Sequence, residues 1–398
     1  MYKRQVHKGN AASLRAGRVY LAYTMIGGAL LLAGVAWLKA LAGALDFTAT
    51  GILYETPGLE SWHLQVIFVL LIAGLGVKAA LIPLHGWLPI AMAAPAPVRA
   101  LLHAVAVVKA GAFGIVRVVY DVYGIHFASE LGLTSGLAVL ASVTIVYGSV
   151  RALYQDDFKK RLAYSTVSQV SYIALGTAIA GPIATIGGMV HLVHQGLMKI
   201  TMFFCAGSLA ENLKISRISE MHGVGRRMPW TMTAFTIAAL GMIGLPPVAG
   251  FVSKWYLGIG ALEVGSYWVL GVLAASSLLN AAYFLPVIYV AWFKPARGDW
   301  PDKARGSRLE AHWMLLLPPV ITAALALAVG LLANAPFTPL YWVKFIAAGE
   351  YAETFAPPME SAHLEFPDLW GVILVPLLLA GLFCSTRFRP WLGKLSPW

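Results

Sequence analysis

Long apolar runs separated by short, mostly basic connections fill this chain, and they restrict its fold more than any other feature. At ~1.5 Å rise per residue, a helix of about 20 residues crosses a hydrocarbon core roughly 30 Å thick. Ten such helices are expected, over residues 19–44, 63–84, 98–120, 131–151, 162–180, 183–210, 229–257, 266–293, 313–334 and 369–385. The 398 residues are 59% apolar and 12% charged, which excludes an ordinary soluble domain and predicts an all-α integral membrane protein, one polytopic domain over 1–398.

Charge then assigns the two faces. Segments 1–18, 85–99, 151–161, 211–228, 294–312 and 386–398 hold 22 of the 29 Lys and Arg residues. The opposite connections, 45–62, 121–130, 258–265 and 335–368, hold 11 of the 18 acids. The positive-inside rule places both termini in the cytoplasm, residues 1–18 as a cytoplasmic lead-in and 335–368 as an extracytoplasmic loop of a cell inner (plasma) membrane protein. Residues 1–18 are basic and polar and run directly into an apolar stretch, unlike a signal peptide. In this partition every carboxylate falls in a connection, so none is expected inside a span.

The net charge of +11 is spread among these connections, which points to a lipid bilayer and away from nucleic acid. Cys205 and Cys384 lie in separate apolar runs, giving no disulfide framework and no cysteine cluster for a metal. No Walker or dinucleotide fingerprint occurs, and no cofactor is expected.

Inside the apolar runs stand four lysines. Lys109 is at the midpoint of PVRALLHAVAVVKAGAFGIVRVVY (97–120), too far from either end for its stem to snorkel to an interface. A central ammonium costs ~2.5 to 3.5 kcal/mol even on the lenient insertion scale, so a retained one has a use. Lys78, Lys199 and Lys254 lie in other runs, and His103 precedes Lys109 by six residues. His191 and Lys199 share nearly one helix face, and His194 follows His191 by about one turn. An imidazole beside a buried lysine can pass a proton. A zinc site is disfavoured, because the two histidines have no carboxylate or cysteine in the same run to complete a shell. The histidines could instead ligate a b-type haem, a reading that leaves the lysines without a task; a Soret band would distinguish it.

Two runs are interrupted. PLHGWLPIAMAAPAP follows Lys78, and GLPPVAG (244–250) precedes Lys254. Proline removes backbone donors, and a break within a membrane is tolerated only where protein or water satisfies the freed groups. Paired broken helices are a mark of transporters built from inverted repeats.

Four stretches carry a resemblance: VKAALIPLHGWLPIAMAAPAPVRALLHAVAVVKAG, DDFKKRLAYSTVSQVSYIALG, HLVHQGLMKITMFFCAGSL and MPWTMTAFTIAALGMIGLPPVAGFVSKWYL. Across 77–257 the chain resembles the antiporter-like membrane subunits shared by proton-pumping NADH:quinone oxidoreductase and the multisubunit Mrp cation/proton antiporters, the D-type Mrp subunit above all. The resemblance implies an inverted-repeat antiporter-like fold, other membrane subunits as partners, protons with Na+ as the exchanged ion, and no redox centre in this chain. It implies a proton path of Lys78, Lys109, His191, Lys199 and Lys254, with His103 and His194 as relays. Many members carry a histidine four residues before the lysine, where this chain has Gln195; moving the imidazole to 194 turns it by roughly 100° around the helix. Members have about fourteen spans, so the chain is expected to lack counterparts of the first five, including the helix whose glutamate pairs with the lysine at the Lys78 position. By itself it is then expected to move no protons.

The function expected is that of a proton-translocating subunit of a cation/proton antiporter. A membrane-arm subunit of NADH:quinone oxidoreductase or of a membrane-bound hydrogenase is the alternative, and a non-transporting scaffold the alternative outside the family.

Overall fold

The computed structural model describes residues 11–43, 45–54, 56, 58–93, 106–297 and 310–351. Among them the chain is helical throughout, with no strand. In order come α1 (Ala11–Ala42), α2 (Ser61–Ala79), the single turn α3 (Trp87–Ile90), α4 (Val107–Arg117), α5 (Ile125–Glu130), α6 (Leu133–Leu153) and α7 (Phe158–Ala178). There follow α8 (Pro182–Asn212), the short α9 (Val224–Arg227), α10 (Pro229–Ile243), α11 (Ala249–Glu263), α12 (Trp268–Phe293), α13 (Trp313–Leu331) and α14 (Pro339–Glu350). The span expected over 369–385, with Cys384, lies outside the described residues, as do His103 and the start of the 98–120 helix.

Five of these helices, α1 from Ser13, α2, α6, α12 and α13, are long and apolar enough to cross a membrane by length and composition. The span expected over 229–257 is two helices, α10 and α11, parted at the GLPPVAG break. Helix α7 begins four residues ahead of the expected 162 because Asp157 caps it, its carboxylate accepting from the Lys160 amide at 2.9 Å. Within 335–368, expected as a loop, Thr338 caps α14, which packs against α8.

Helix α8 is the hub, packing against α7, α10, α11, α13 and α14. It is apolar nearly all round, so it is covered on most sides, and its polar residues from Thr185 to Ser208 are buried with it. Tight crossings bring neighbouring backbones close. A methyl at Gly111 of α4 would run into the Ala79 amide of α2, and one at Gly250 of α11 into the Gly241 carbonyl of α10.

One expectation is overturned. Asp121 was assigned to an outer connection, but α4 continues through a π-helical turn, Val118–Tyr123, that carries it inside, where it is 2% exposed. A buried carboxylate is costly without a partner, and Arg117, four residues earlier, supplies one at 2.9 Å. The charge tally missed the pair because turns and acids at a run's end read as loop.

Candidate functional site

The second break builds one end of the site. Gly244 ends α10 in a left-handed conformation, with φ 96°, and leaves the helix's last carbonyls without intrahelical donors. Lys254, half-buried on α11, takes them: its Nζ donates to the Met242 carbonyl at 3.1 Å, the Ile243 carbonyl at 2.8 Å and Ser277 Oγ of α12 at 3.0 Å. A cation at a helix C-terminus is also favoured by the helix dipole.

From there the polar contacts run inward. Asn280 Nδ2 donates to the same Met242 carbonyl at 3.0 Å, and the Tyr283 hydroxyl donates to Asn280 Oδ1. That hydroxyl lies among Ser165 of α7 and Ser149 of α6. Lys199, fully buried on α8, donates to Ser165 Oγ and to the Leu162 carbonyl at 3.3 Å, with the Phe284 ring 5.7 Å from its Nζ. Polar groups thus lie in sequence between Lys254 and Lys199: the Met242 carbonyl, Asn280 and Tyr283 on one side, and Ser165, beside Tyr283, on the other.

A second branch leads to α4. His191 Nδ1 lies 2.8 Å from Ser253 Oγ, next to Lys254 on α11, and the Ser253 hydroxyl donates to the Gly250 carbonyl at 3.2 Å. Tyr172 of α7 lies between the groups, its ring 5.1 Å from His191 and 5.4 Å from Lys254 Nζ. Lys109, only 8% exposed on α4, is near enough for its charge to act on His191 and His194, and the Lys254 charge also reaches His191.

Four of the expected residues, Lys109, His191, Lys199 and Lys254, are thus gathered around α8, and His194 is buried beside them. Lys78 is not: it sits in the last turn of α2 with an exposed side chain, its Cβ facing Gly111. Cys205 is buried, its thiol donating to the Thr231 carbonyl at 3.2 Å.

Sequence reasoning missed Asn280, Tyr283, Ser253 and Asp121. Asn280 carried a readable signal, since it is the sole amide in the apolar run 266–293 and a polar side chain at such depth has a partner. Tyr283 and Ser253 carried none, because tyrosine and serine are ordinary within membrane helices.

The bundle of broken helices around a run of lysine-bearing polar groups is the architecture of an antiporter-like membrane subunit. The profile of the family described as NADH:quinone oxidoreductase/Mrp antiporter, TM, matches residues 5–280, and the chain belongs to that family, whose members are multi-pass membrane proteins. It is 38% identical over 332 residues to NADH-quinone oxidoreductase subunit N of Desulforudis audaxviator, covering 81% of this chain and 66% of that protein. It is 28% identical to the D-type Na(+)/H(+) antiporter subunit of Bacillus subtilis, covering 78% of this chain and 62% of that one. Among solved structures, a chain of the membrane-bound sulfane sulfur reductase, an archaeal respiratory membrane complex, matches with a TM-score of 0.77 at 27% identity, over 89% of this chain and 70% of that chain. The chain spans somewhat under two thirds of the length of these two curated relatives.

Proposed function

We propose that this chain is a proton-translocating membrane subunit of a multisubunit complex, moving protons along Lys109, His191, Lys254 and Lys199. The observation that supports the reading is the buried run of polar groups between two lysines: Lys254 and Asn280 share the Met242 carbonyl, Tyr283 donates to Asn280, and beside Tyr283 lies Ser165, which accepts from Lys199. The polar atoms around it add support. Buried His191 Nε2, both His194 nitrogens and the side-chain amides of Gln169 and Gln195 have no partner in hydrogen-bond geometry among the described residues. Polar groups so placed are ordinarily satisfied by water, which is what a proton path requires.

The exposed Lys78 is the point at which the path meets its partners: a carboxylate on a neighbouring helix or subunit would pair with it there. In this reading the basic connections face the cytoplasm, in keeping with the charge partition. Sequence similarity does not favour the cation antiporter expected from the motifs over a respiratory membrane arm. Identity is 38% to a subunit N of NADH-quinone oxidoreductase and 28% to the D-type member of a Na+/H+ antiporter. Sodium distinguishes the two, since a Na+ gradient alone would drive proton movement in the antiporter and not in the respiratory arm.

The test is proton uptake, followed with a pH-sensitive dye, in membrane vesicles containing the assembled complex. Lys109→Ala should abolish uptake with assembly intact, and Lys109→Arg should fail too, because arginine does not release its proton. Normal uptake by Lys109→Ala would leave the scaffold reading in its place.

A further inference from the structure

Phe113 and Arg117, one helical turn apart on α4, take no part in the polar contacts above. They form a ridge between two half-open cavities and line both. The larger, of about 650 Å³, lies between α1, α2 and α4. The smaller, of about 260 Å³, lies between α4, the start of α8 and α14. Away from the groups around Arg117 the walls are apolar, with Leu31, Val35 and Leu71 in the first cavity and Ile186, Met189 and Ile346 in the second. Phe113, Val35 and Ile346 are 44%, 38% and 49% exposed, so both cavities open at the surface of the bundle.

The cation on this ridge is held in place. Arg117 pairs with Asp121 at 2.9 Å, donates through Nη1 to the Tyr351 hydroxyl at 3.3 Å and lies 4.4 Å over the Phe47 ring. Tyr351 in turn donates to Asp121 Oδ1 at 2.7 Å. Asp121 is behind the arginine, its side chain 3% exposed against 30% for Arg117, so it orients the guanidinium without reaching the opening. These contacts leave Arg117 Nη2 without a protein acceptor among the described residues. A planar guanidinium with uncommitted N–H groups matches the geometry of a phosphate. It stands in the last turn of α4, three residues before the end expected for that span, where acyl chains give way to headgroups.

Size decides between occupants. Along α4 the larger cavity extends over the nine residues from Phe113 to Val122, about 13 Å, and the smaller over the eight from Phe113 to Asp121, about 12 Å. Half of a hydrocarbon core ~30 Å thick, the depth one acyl chain covers, is of the same order. A helix 10 Å wide and as long as the larger cavity would occupy roughly 1,000 Å³, more than either cavity holds. Lipid tails are as apolar as these walls, so filling the cavities gains little by itself; the headgroup contact supplies the preference and the paired cavities the shape.

We propose that the ridge binds one membrane phospholipid, its phosphate on Arg117 and one acyl chain in the cavity on each side of Phe113. The site is independent of the proton-transport reading.

The experiment adds phosphatidylglycerol, with a photoreactive group midway along each acyl chain, to the assembled complex in mixed micelles and maps the labelled peptides by mass spectrometry. Label should fall on α1 near Val35 and on α14 near Ile346. Unlabelled phosphatidylglycerol should compete at least tenfold better than diacylglycerol, which has both chains and no phosphate, or than the lyso form, which has one chain. Arg117→Gln should weaken labelling at both places about tenfold, the weight of a hydrogen bond to a charged group. Val35→Trp and Ile346→Trp each fill one cavity from an exposed position, and each should lower label on both helices because one lipid occupies both. Equal competition by diacylglycerol would overturn the phosphate contact, and equal competition by the lyso form the two-chain site. Loss confined to the substituted helix would overturn it too, as would labelling that ignores all three substitutions. Label that appears only once partner subunits are stripped away would mean that a protein covers the ridge instead. If Arg117→Gln does not assemble, the two tryptophan variants and the competitors decide.

Discussion

The two broken helices are built alike and satisfied differently. At the first, α2 ends at Ala80 in a left-handed conformation and the Leu81 amide returns to the Gly76 carbonyl at 2.9 Å. At the second, α10 ends at Gly244 and the Leu245 amide returns to Leu240 at 3.0 Å. Proline follows in both, and each break has a lysine nearby. The difference lies in what meets the freed backbone. Around the first break neutral groups serve: Trp87 Nε1 donates to the Val77 carbonyl at 2.7 Å, and the Ile82 amide donates to Thr144 Oγ1 at 3.2 Å. Around the second the lysine itself serves, with three bonds to Met242, Ile243 and Ser277. Lys254 is thus both part of the polar chain and the cap of a helix, whereas Lys78 is free of structural duty within the described residues.

That contrast is broken most directly by removing Lys254. Lys254→Met keeps the length of the stem and takes away three charge-assisted bonds, leaving the Ile243 carbonyl without its donor while Asn280 still serves Met242. Hydrogen bonds to charged groups are worth more than neutral ones, so a stability loss of about 2 to 3 kcal/mol is expected. It is read as a shift of the unfolding midpoint in mixed detergent micelles. A loss no larger than that of an ordinary surface substitution would mean that the breaks do not differ in this way.

The first break is sharpened by Trp87→Phe. The ring is fully buried at 1% exposure and stacks edge-on to Tyr20 at 5.4 Å, contacts that phenylalanine largely keeps. What disappears is the shorter of two bonds to the Val77 carbonyl, which keeps the Ala80 amide at 3.3 Å, so the same measurement should show about 1 kcal/mol, the net worth of one ordinary hydrogen bond. Transport should change little, because no residue of the polar chain touches Trp87.

Much of this was legible in the sequence, and the reasons differ by residue. Membrane helices announce themselves by apolar length, and Lys109 and Lys199 by charge within that length, because a bilayer makes both rules strict. The positions of the two breaks followed from proline, which cannot continue the backbone ladder. Burial of an individual lysine did not follow, because it depends on which helices surround it. Lys78 and Lys254 stand beside similar breaks in similar apolar runs, yet one is exposed and the other half-buried. Asp121 was missed for a related reason. One additional π-helical turn moves a residue from an expected connection into the bundle, and neither composition nor charge marks such a turn.

The smallest effect is expected at Lys78, and its smallness is what makes it informative. The side chain is exposed and its contact is through Cβ, against Gly111. Lys78→Met keeps that contact and the length of the stem, so stability should change by no more than about 0.5 kcal/mol, as for other exposed positions. A loss as large as that of Lys254→Met would show that the first lysine caps backbone just as the second does, and the asymmetry between the breaks would fall. If stability is unchanged while proton uptake by the assembled complex is reduced, the lysine acts through a charge outside this chain. A compensating carboxylate, sought by restoring uptake with a second substitution in a partner subunit, would then identify where the path enters the bundle.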